Sequence, residues 1–228
     1  MGLQLLAVGL WSGFVSMDTT AAMQIMISRP LVSCMVTGLI LGDYQLGLLI
    51  GIYLELIWIN ELPVGAVFFA EGNIGSVAAT AVAYYTFQAS YRLEPSIALS
   101  LVSAIIISHI GGMLVELMRS LNSRNFDRLL ADKDITIAKV ESAHYKGIGM
   151  AFMLGFLITP IFAVLLGRLV LPALIGFLPL AIDSFLEPIN IAFLGAGGGI
   201  LLFMFAKNKK YWWMIFTGIA LGLLFIIK

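Results

Sequence analysis

Several ionisable side chains lie inside long apolar runs of this sequence, where they could bind a polar ligand. Glu55 is the clearest case, because no other charged residue stands within five positions of it on either side. A charge at the centre of a bilayer costs roughly 2.5 kcal/mol or more, so such groups persist when they are paired, hydrated or functional. An ionised carboxylate only accepts hydrogen bonds, and sugar hydroxyls are suitable donors. The pattern predicts a carbohydrate-binding carboxylate, with a structural carboxylate as the alternative.

Four other residues could complete such a site. Glu71 and Asn73 follow the apolar run Val64–Ala70 and are surrounded by glycines, which permit tight turns. This pattern predicts a hairpin tip that dips into the membrane, with an ordinary exposed loop as the alternative. Asp18 and Gln24 interrupt the first apolar segment, and Asp18 could instead cap a surface helix. The predicted substrate-binding set is therefore Glu55, Glu71, Asn73, Gln24 and Asp18.

The composition indicates that these groups are positioned within a lipid bilayer. Hydrophobic residues make up 61% of the 228 residues and charged residues 11%, against roughly 25% charged in a soluble domain. This excludes a soluble globular domain and a disordered chain. The formal net charge is +0, so no basic excess points to nucleic acid. With one cysteine, Cys34, and no metal-ligand or phosphate-loop spacing, the sequence predicts no catalytic residue, metal or cofactor.

The apolar segments predict an all-α polytopic membrane protein with transmembrane helices and re-entrant hairpin segments. Two segments, Pro30–Gly42 and Leu169–Ile182, are too short to cross comfortably and are typical of re-entrant or broken helices. One lies in each half of the chain, as an inverted repeat would require. Arg168 is predicted to pair with Asp183 or Glu187. The predicted spans are Pro95–Leu117, Ile148–Gly167, Ile189–Ala206 and Tyr211–Ile227, with Leu3–Met17, Gly47–Ile59 and Ile74–Tyr91 as further candidates.

The long polar stretch Met118–Lys146 divides the chain. It predicts one or two short amphipathic helices on the membrane face, or else a solvated loop. Its basic residues predict a cytoplasmic location and a docking surface for soluble partners that includes Arg124, Arg128 and Lys133. The expected organisation is one membrane-embedded domain, 1–228. It has an N-terminal membrane half at 1–117, the amphipathic cytoplasmic segment at 118–146 and a C-terminal membrane half at 147–228.

Short motifs spread over most of the chain resemble the IIC subunits of the mannose/fructose/sorbose family of the bacterial sugar phosphotransferase system. The resemblance is densest from Gln24 to Ser76. The motifs are Gln24–Val32, Gly38–Asp43, Leu54–Leu56, Gly65–Ala66 with Glu71 and Ser76, Ala131–Lys133, His144 and Asn190–Ala192.

The resemblance implies a sugar-translocating subunit of the bacterial inner membrane. It implies a IID membrane partner, cytoplasmic IIA and IIB phosphocarriers, and a moving core on a trimeric scaffold. IIB would phosphorylate the sugar at the cytoplasmic mouth, and this subunit would carry no phosphorylated residue. Two departures leave the sugar open: Met23 and Gln24 stand where several members carry acids, and Glu71 stands where others often have Asp.

Three functions are compatible with these residues. The prediction is a IIC subunit that carries a hexose-type sugar by alternating access, with Glu55 binding its hydroxyls. A proton-coupled secondary sugar carrier, in which Glu55 titrates, is the first alternative. A non-transporting scaffold subunit is the second, although a scaffold need not keep isolated intramembrane acids.

Overall fold

The computed structural model describes residues 2–19, 21–59, 70–132, 134–206 and 212–217, and this part of the chain is helical without strands. The all-α prediction is confirmed. By length and apolar composition, three of the described helices can cross a membrane: Leu93–Leu130, Ile137–Phe177 and Ala181–Phe205. The helices are α1 (Gly2–Asp18), α2 (Pro30–Leu41), α3 (Tyr44–Ile57), α4 (Gly72–Ser90), α5 (Leu93–Leu130), α6 (Ile137–Val164), α7 (Leu171–Phe177) and α8 (Ala181–Ala206).

Helices α2 and α3 form a short antiparallel hairpin. Pro30 starts α2, where a missing N–H costs nothing, and Gly42 ends it in the left-handed conformation with φ 95°. Asp43 then caps α3 by accepting a hydrogen bond from Leu46 N at 3.0 Å. At 12 and 14 residues the helices are roughly 18 and 21 Å long, less than the ~30 Å of a bilayer core. The first predicted short segment is therefore a short helix, and the candidate span Gly47–Ile59 belongs to its hairpin partner.

Glycines let the two helices of this hairpin approach closely. A Cβ on Gly47 would lie 2.4 Å from the carbonyl oxygen of Cys34, and one on Gly51 would lie 2.9 Å from that of Pro30. Gly38 faces Gly47 across the same interface: a Cβ on Gly47 would lie 2.9 Å from the Cα of Gly38. Gly47 and Gly51 thus form a small-xxx-small pair of the kind that packs membrane helices tightly.

Helix α4 is the central element of the fold. It contacts every other helix except α8, and also the π-helical turn described below. Small or polar residues fill most of its surface, and nearly all of its first fifteen positions are buried. Two apolar clusters flank it: one with α2, α3 and α5, the other with α1, α6 and the end of α2.

Helices α5 and α6 are much longer than the apolar segments within them. Helix α5 continues to Leu130 and α6 begins at Ile137, so the polar stretch between residues 118 and 146 consists of their two ends and a short connection. The prediction of separate short amphipathic helices is wrong, because hydropathy marks where a helix meets lipid and not where its hydrogen bonding stops. These ends form an antiparallel pair, named here the α5–α6 extension.

The second predicted short segment, Leu169–Ile182, is not a separate element, unlike the first. Helix α6 passes through a π-helical turn, Leu165–Val170, into α7, so one helical run extends from Ile137 to Phe177. The chain then turns and enters α8. Leu169–Ile182 is thus the end of a long helix plus a turn, which corrects the prediction of a broken helix there.

Arg92 joins the start of α5 to the α7–α8 turn. Its Nε donates to both carboxylate oxygens of Asp183 at 3.0 Å, and its terminal nitrogens donate to three carbonyls, those of Ile175, Leu178 and Pro179. The expected pairing of Arg168 with Asp183 or Glu187 is therefore wrong for Asp183. Arg168 instead lies over the ring of Tyr85, 5.6 Å from its centroid.

Candidate functional site

Asp18 shapes the loop between α1 and α2. It is the last residue of α1 and is 2% exposed. Its Oδ1 accepts from Ile25 N at 2.7 Å and its Oδ2 from Ser28 N at 3.0 Å. The loop between them carries positive φ values at three non-glycine residues, an uncommon conformation that these bonds hold in place. Asp18 is therefore a buried organiser of this loop and not a surface cap.

Glu55 has a cationic partner within the chain. Its Oε1 accepts from both Nε (2.7 Å) and a terminal nitrogen of Arg29, and its Oε2 accepts from Leu31 N at 3.1 Å. Leu31 N belongs to the first turn of α2, so the carboxylate also caps that helix at its positive end. The Glu55 side chain is 19% exposed and that of Arg29 36%, so the pair is accessible from one side. Sequence reasoning missed this pairing, because Arg29 stands 26 positions before Glu55 in the chain.

Asn73 and Glu71 stand at the start of α4 on the other side of the loop. Asn73 Nδ2 donates to Thr19 Oγ1, which ties α4 to the residue after Asp18. Glu71 is 3% exposed, and its backbone N–H donates to Ser108 O at 2.8 Å. A Cβ on Gly111 of α5 would lie 2.9 Å from the Cβ of Glu71, so the glycine leaves room for the acidic side chain.

These contacts bring the predicted site residues into one region. Asn73 meets Thr19 beside Asp18, and Asp18 holds Ser28 beside Arg29, which in turn pairs with Glu55. Gln24 lies on the same loop with φ 53° and an exposed side chain. The region therefore groups the carboxylates of Asp18 and Glu55 and one guanidinium around a loop of unusual backbone, while Glu71, two residues before Asn73, packs against α5. We call it the α1–α2 loop site.

The predicted hairpin tip at Val64–Ala70 falls almost wholly outside the described residues. The structure adds two neighbours that the sequence pattern did not indicate. Trp58, at the end of α3, packs its ring against Gly72, where a Cβ would lie 2.8 Å from the ring. Thr19 is the second, through its contact with Asn73. Within the described ranges, no cluster of three or more His, Cys, Asp or Glu side chains could hold a metal ion.

Two of the three predicted docking residues, Arg124 and Arg128, lie on the α5–α6 extension. Arg128 lines a cavity of about 450 Å³ between the two helices, whereas Arg124 is exposed and lines neither this cavity nor the larger one beside it. Lys133 lies outside the described residues. In the connection, Lys139 Nζ donates to Asp132 Oδ2 at 2.5 Å, and this hydrogen bond lowers the pKa of Asp132 below its ordinary value of 3.8.

Long apolar helices that bury polar side chains between them define a helical membrane protein. The sequence matches, over residues 2–228, the profile of the family described as the PTS system sorbose-specific IIC component. The chain therefore belongs to this family of phosphotransferase-system membrane components, which confirms the resemblance found in its motifs.

Two curated relatives have the same description. A PTS sorbose-specific EIIC component of Lacticaseibacillus casei is 32% identical over 78 residues, which are 34% of this chain and 28% of that protein. One from Klebsiella pneumoniae is 29% identical over 119 residues, 52% of this chain and 42% of that protein. The matched parts thus span less than half the length of these relatives.

Solved structures show the same fold. One described as a membrane protein has a TM-score of 0.73 at 18% identity, and covers 100% of this chain and 93% of the other. A chain in the cryo-EM structure of the mannose transporter ManYZ in complex with microcin E492 has a TM-score of 0.62 at 18% identity, with the same coverage. At this identity the likeness concerns the fold alone.

Proposed function

We propose that this chain is the sugar-translocating subunit of a phosphoenolpyruvate-dependent phosphotransferase system. It binds a neutral hexose-type sugar at the α1–α2 loop site and carries it across the bacterial inner membrane by alternating access. A IID subunit is its membrane partner, in a homo-oligomer that is trimeric by family resemblance. Cytoplasmic IIA and IIB phosphocarriers supply the phosphoryl group, so the chain itself carries no phosphoryl chemistry.

The observation that supports this proposal is the contact chain that joins the start of α4, the α1–α2 loop and the hairpin. Glu55 and Glu71 are assigned to the sugar hydroxyls, because a carboxylate offers about four acceptor positions and Glu55 uses three contacts with Arg29 and Leu31. Asp18 and Asn73 act as positioning residues, since their hydrogen bonds hold the loop. Gln24, exposed on the loop, completes the polar shell.

The charges of the site suit a neutral ligand that is trapped by phosphorylation. Arg29 pairs with Glu55, whereas Asp18 binds two backbone N–H groups and has no cationic partner among the described ion pairs, so the site carries an excess of negative charge. A neutral sugar tolerates this excess, and its hydroxyls donate to carboxylates in charge-assisted bonds. A sugar phosphate dianion would be repelled. Phosphorylation at the cytoplasmic side would therefore prevent return to this site.

The test is sugar uptake in membrane vesicles that contain this chain with its IID partner. Vesicles loaded with phosphoenolpyruvate and the soluble phosphocarriers are expected to accumulate sugar phosphate, whereas a proton gradient alone is expected to drive no uptake. Accumulation of free sugar driven by the gradient would replace this proposal with a proton-coupled carrier. Sugar binding by IID without this chain would favour the scaffold role.

Isosteric variants test the site itself. Glu55→Gln and Glu71→Gln are each expected to reduce uptake at least tenfold, because each removes a charge-assisted bond worth about 1.5–3 kcal/mol. Asp43→Asn is the matched control: it makes the same change at the other end of the hairpin, on a residue that caps α3. Unchanged uptake in both glutamate variants would contradict the site assignment.

A further inference from the structure

The α5–α6 extension separates its charges. The cavity of about 450 Å³ between the helices is lined by Arg128 of α5 and by Lys139 and Lys146 of α6, and by no acidic residue. Acidic residues are present on the extension, but their side chains line neither cavity there. They are Glu116, Asp127, Asp132, Asp134 and Glu141. The cavity is therefore positively charged although the extension as a whole has mixed charge.

Helix geometry places these cations on facing walls. Lys139, Ser142 and Lys146 are spaced i, i+3 and i+7 along α6, which puts them on one side of that helix. Asn125 and Arg128 are spaced i and i+3 on α5, on the side that faces α6. The cavity thus offers cationic and neutral donors from two directions, which a charged surface patch on one helix does not.

One of the three cations is already compensated. Lys139 Nζ donates to Asp132 Oδ2 and, at 2.9 Å, to the carbonyl oxygen of Asp134. Among the described ion pairs, none includes Arg128 or Lys146. Two uncompensated cations therefore face each other across the cavity, with Leu129 and Ala143 as its apolar lining.

We propose that this cavity binds a phosphate group. A guanidinium binds phosphate through parallel N–H donors, and a lysine opposite it adds a second charge-assisted bond. Ser142 and Asn125 can donate to the remaining oxygens. The volume lies within the roughly 300–1,000 Å³ of small-ligand sites. Two sources share this chemistry: a free phosphate or phosphate monoester in solution, and the headgroup of an anionic lipid.

This site is separate from the α1–α2 loop site and has the opposite charge. The inference does not depend on sugar transport, because phosphate binding can be measured without sugar and without partner proteins. A failure of one proposal therefore leaves the other standing.

The experiment uses the full chain in nanodiscs of phosphatidylcholine alone, titrated with inorganic phosphate by calorimetry at constant ionic strength. Arg128→Gln and Lys146→Gln are each expected to weaken binding about tenfold, the effect of losing one charge-assisted bond. Arg124→Gln is the matched control, because it makes the same change one turn earlier on α5 at an exposed residue that does not line the cavity. The affinity of Arg124→Gln for inorganic phosphate is expected to stay within about twofold of that of the original chain.

A second arm identifies the source of the phosphate. Native mass spectrometry measures retention of phosphatidylglycerol after transfer from mixed nanodiscs. Retention that depends on Arg128, without binding of inorganic phosphate in phosphatidylcholine, would support the site with a lipid headgroup as its ligand. The proposal would be overturned if neither inorganic phosphate nor phosphatidylglycerol bound the original chain. It would also be overturned if Arg124→Gln lost as much binding as the cavity variants. The two cavity variants lie on different helices, so misfolding of one leaves the other as the test.

Discussion

Gly47→Ala is a direct test of the close packing in the α2–α3 hairpin. The added Cβ would lie 2.4 Å from the carbonyl oxygen of Cys34 and 2.9 Å from the Cα of Gly38. Both neighbours are backbone atoms, so no rotamer change can relieve the contact. A carbon approaches a carbonyl oxygen to about 3.3 Å, so the two helices must separate by roughly 0.9 Å.

The expected cost follows from two opposing effects. Overpacking of a tight interface costs about 1–3 kcal/mol. Alanine in place of glycine returns up to about 1 kcal/mol, because it lowers the backbone entropy lost in a helix. With overpacking at the middle of its range, about 2 kcal/mol, the net destabilisation of the hairpin is about 1–2 kcal/mol, which is a roughly 5- to 30-fold increase in the fraction of molecules with the hairpin open.

The chain contains its own reporter for this opening. Cys34 is the single cysteine of the sequence, and it is fully buried on α2 with its thiol donating to Ser76 O at 3.4 Å. A maleimide can label it only when the hairpin opens. The labelling rate in nanodiscs is therefore expected to rise in Gly47→Ala by the same roughly 5- to 30-fold.

Gly149→Ala provides the matched control. This glycine lies in α6, and a Cβ there would meet no other atom within 4 Å. Its substitution is expected to leave the labelling rate of Cys34 unchanged and to raise stability slightly. If Gly47→Ala labels no faster than the original chain, or if both variants label equally fast, the argument from close helix contact is refuted.

Three further outcomes are expected. Arg29→Gln removes the partner of Glu55 and should destabilise the chain by about 1 kcal/mol after allowance for solvent screening, or about 2–4 °C in Tm; Arg29→Lys should recover part of this, and equal loss in both variants would contradict the pairing. Arg92→Lys should lower the Tm, since lysine cannot reproduce a fork that binds a carboxylate and three carbonyls, and an unchanged Tm would refute the role of the fork. The Asp132–Lys139 contact lowers the pKa of the acid, so its contribution is complete well above pH 3.8 and is lost as pH falls through the lowered pKa; the protection of backbone amides in the connection, corrected for the pH dependence of the intrinsic exchange rate, should therefore fall below pH 3.8 in the original chain and show no such step in Asp132→Asn.

The apolar pattern predicts the membrane-embedded parts of this fold well and the helix ends poorly. The spans Pro95–Leu117, Ile148–Gly167 and Ile189–Ala206 lie within long helices, and Pro30–Gly42 is indeed a short helix with its following glycine. The α5–α6 extension was not predicted, because charged residues form helices in water just as apolar residues form them in lipid. The change in composition near residue 118 therefore did not mark a helix end. Composition therefore marks the solvent around a helix and leaves its length open.

The site was predictable by residue type and only partly by contact. Isolated acids could be found because charge is costly in lipid, and two of them, Asp18 and Glu55, contact the α1–α2 loop and the residues that follow it. The pairing of Arg29 with Glu55 spans 26 positions in the sequence, and that of Arg92 with Asp183 spans 91. No local spacing rule reaches so far, so the choice of Arg168 as the partner of Asp183 rested on proximity in sequence and was wrong.

The small side chains of the central helix α4 determine how the helices packed against it can move. Along the middle of this helix the buried residues are mostly alanine, valine, serine and threonine. Such side chains leave shallow ridges, so a helix packed against α4 can translate along it without lifting over a bulky group. Motions of the shear type, in which packed helices slide by small distances, need surfaces of this kind. Leucine in place of Ala79 or Ala83 would add a bulky ridge to this surface. We therefore expect it to hinder the sliding of neighbouring helices along α4, and so to slow any conformational change that requires it.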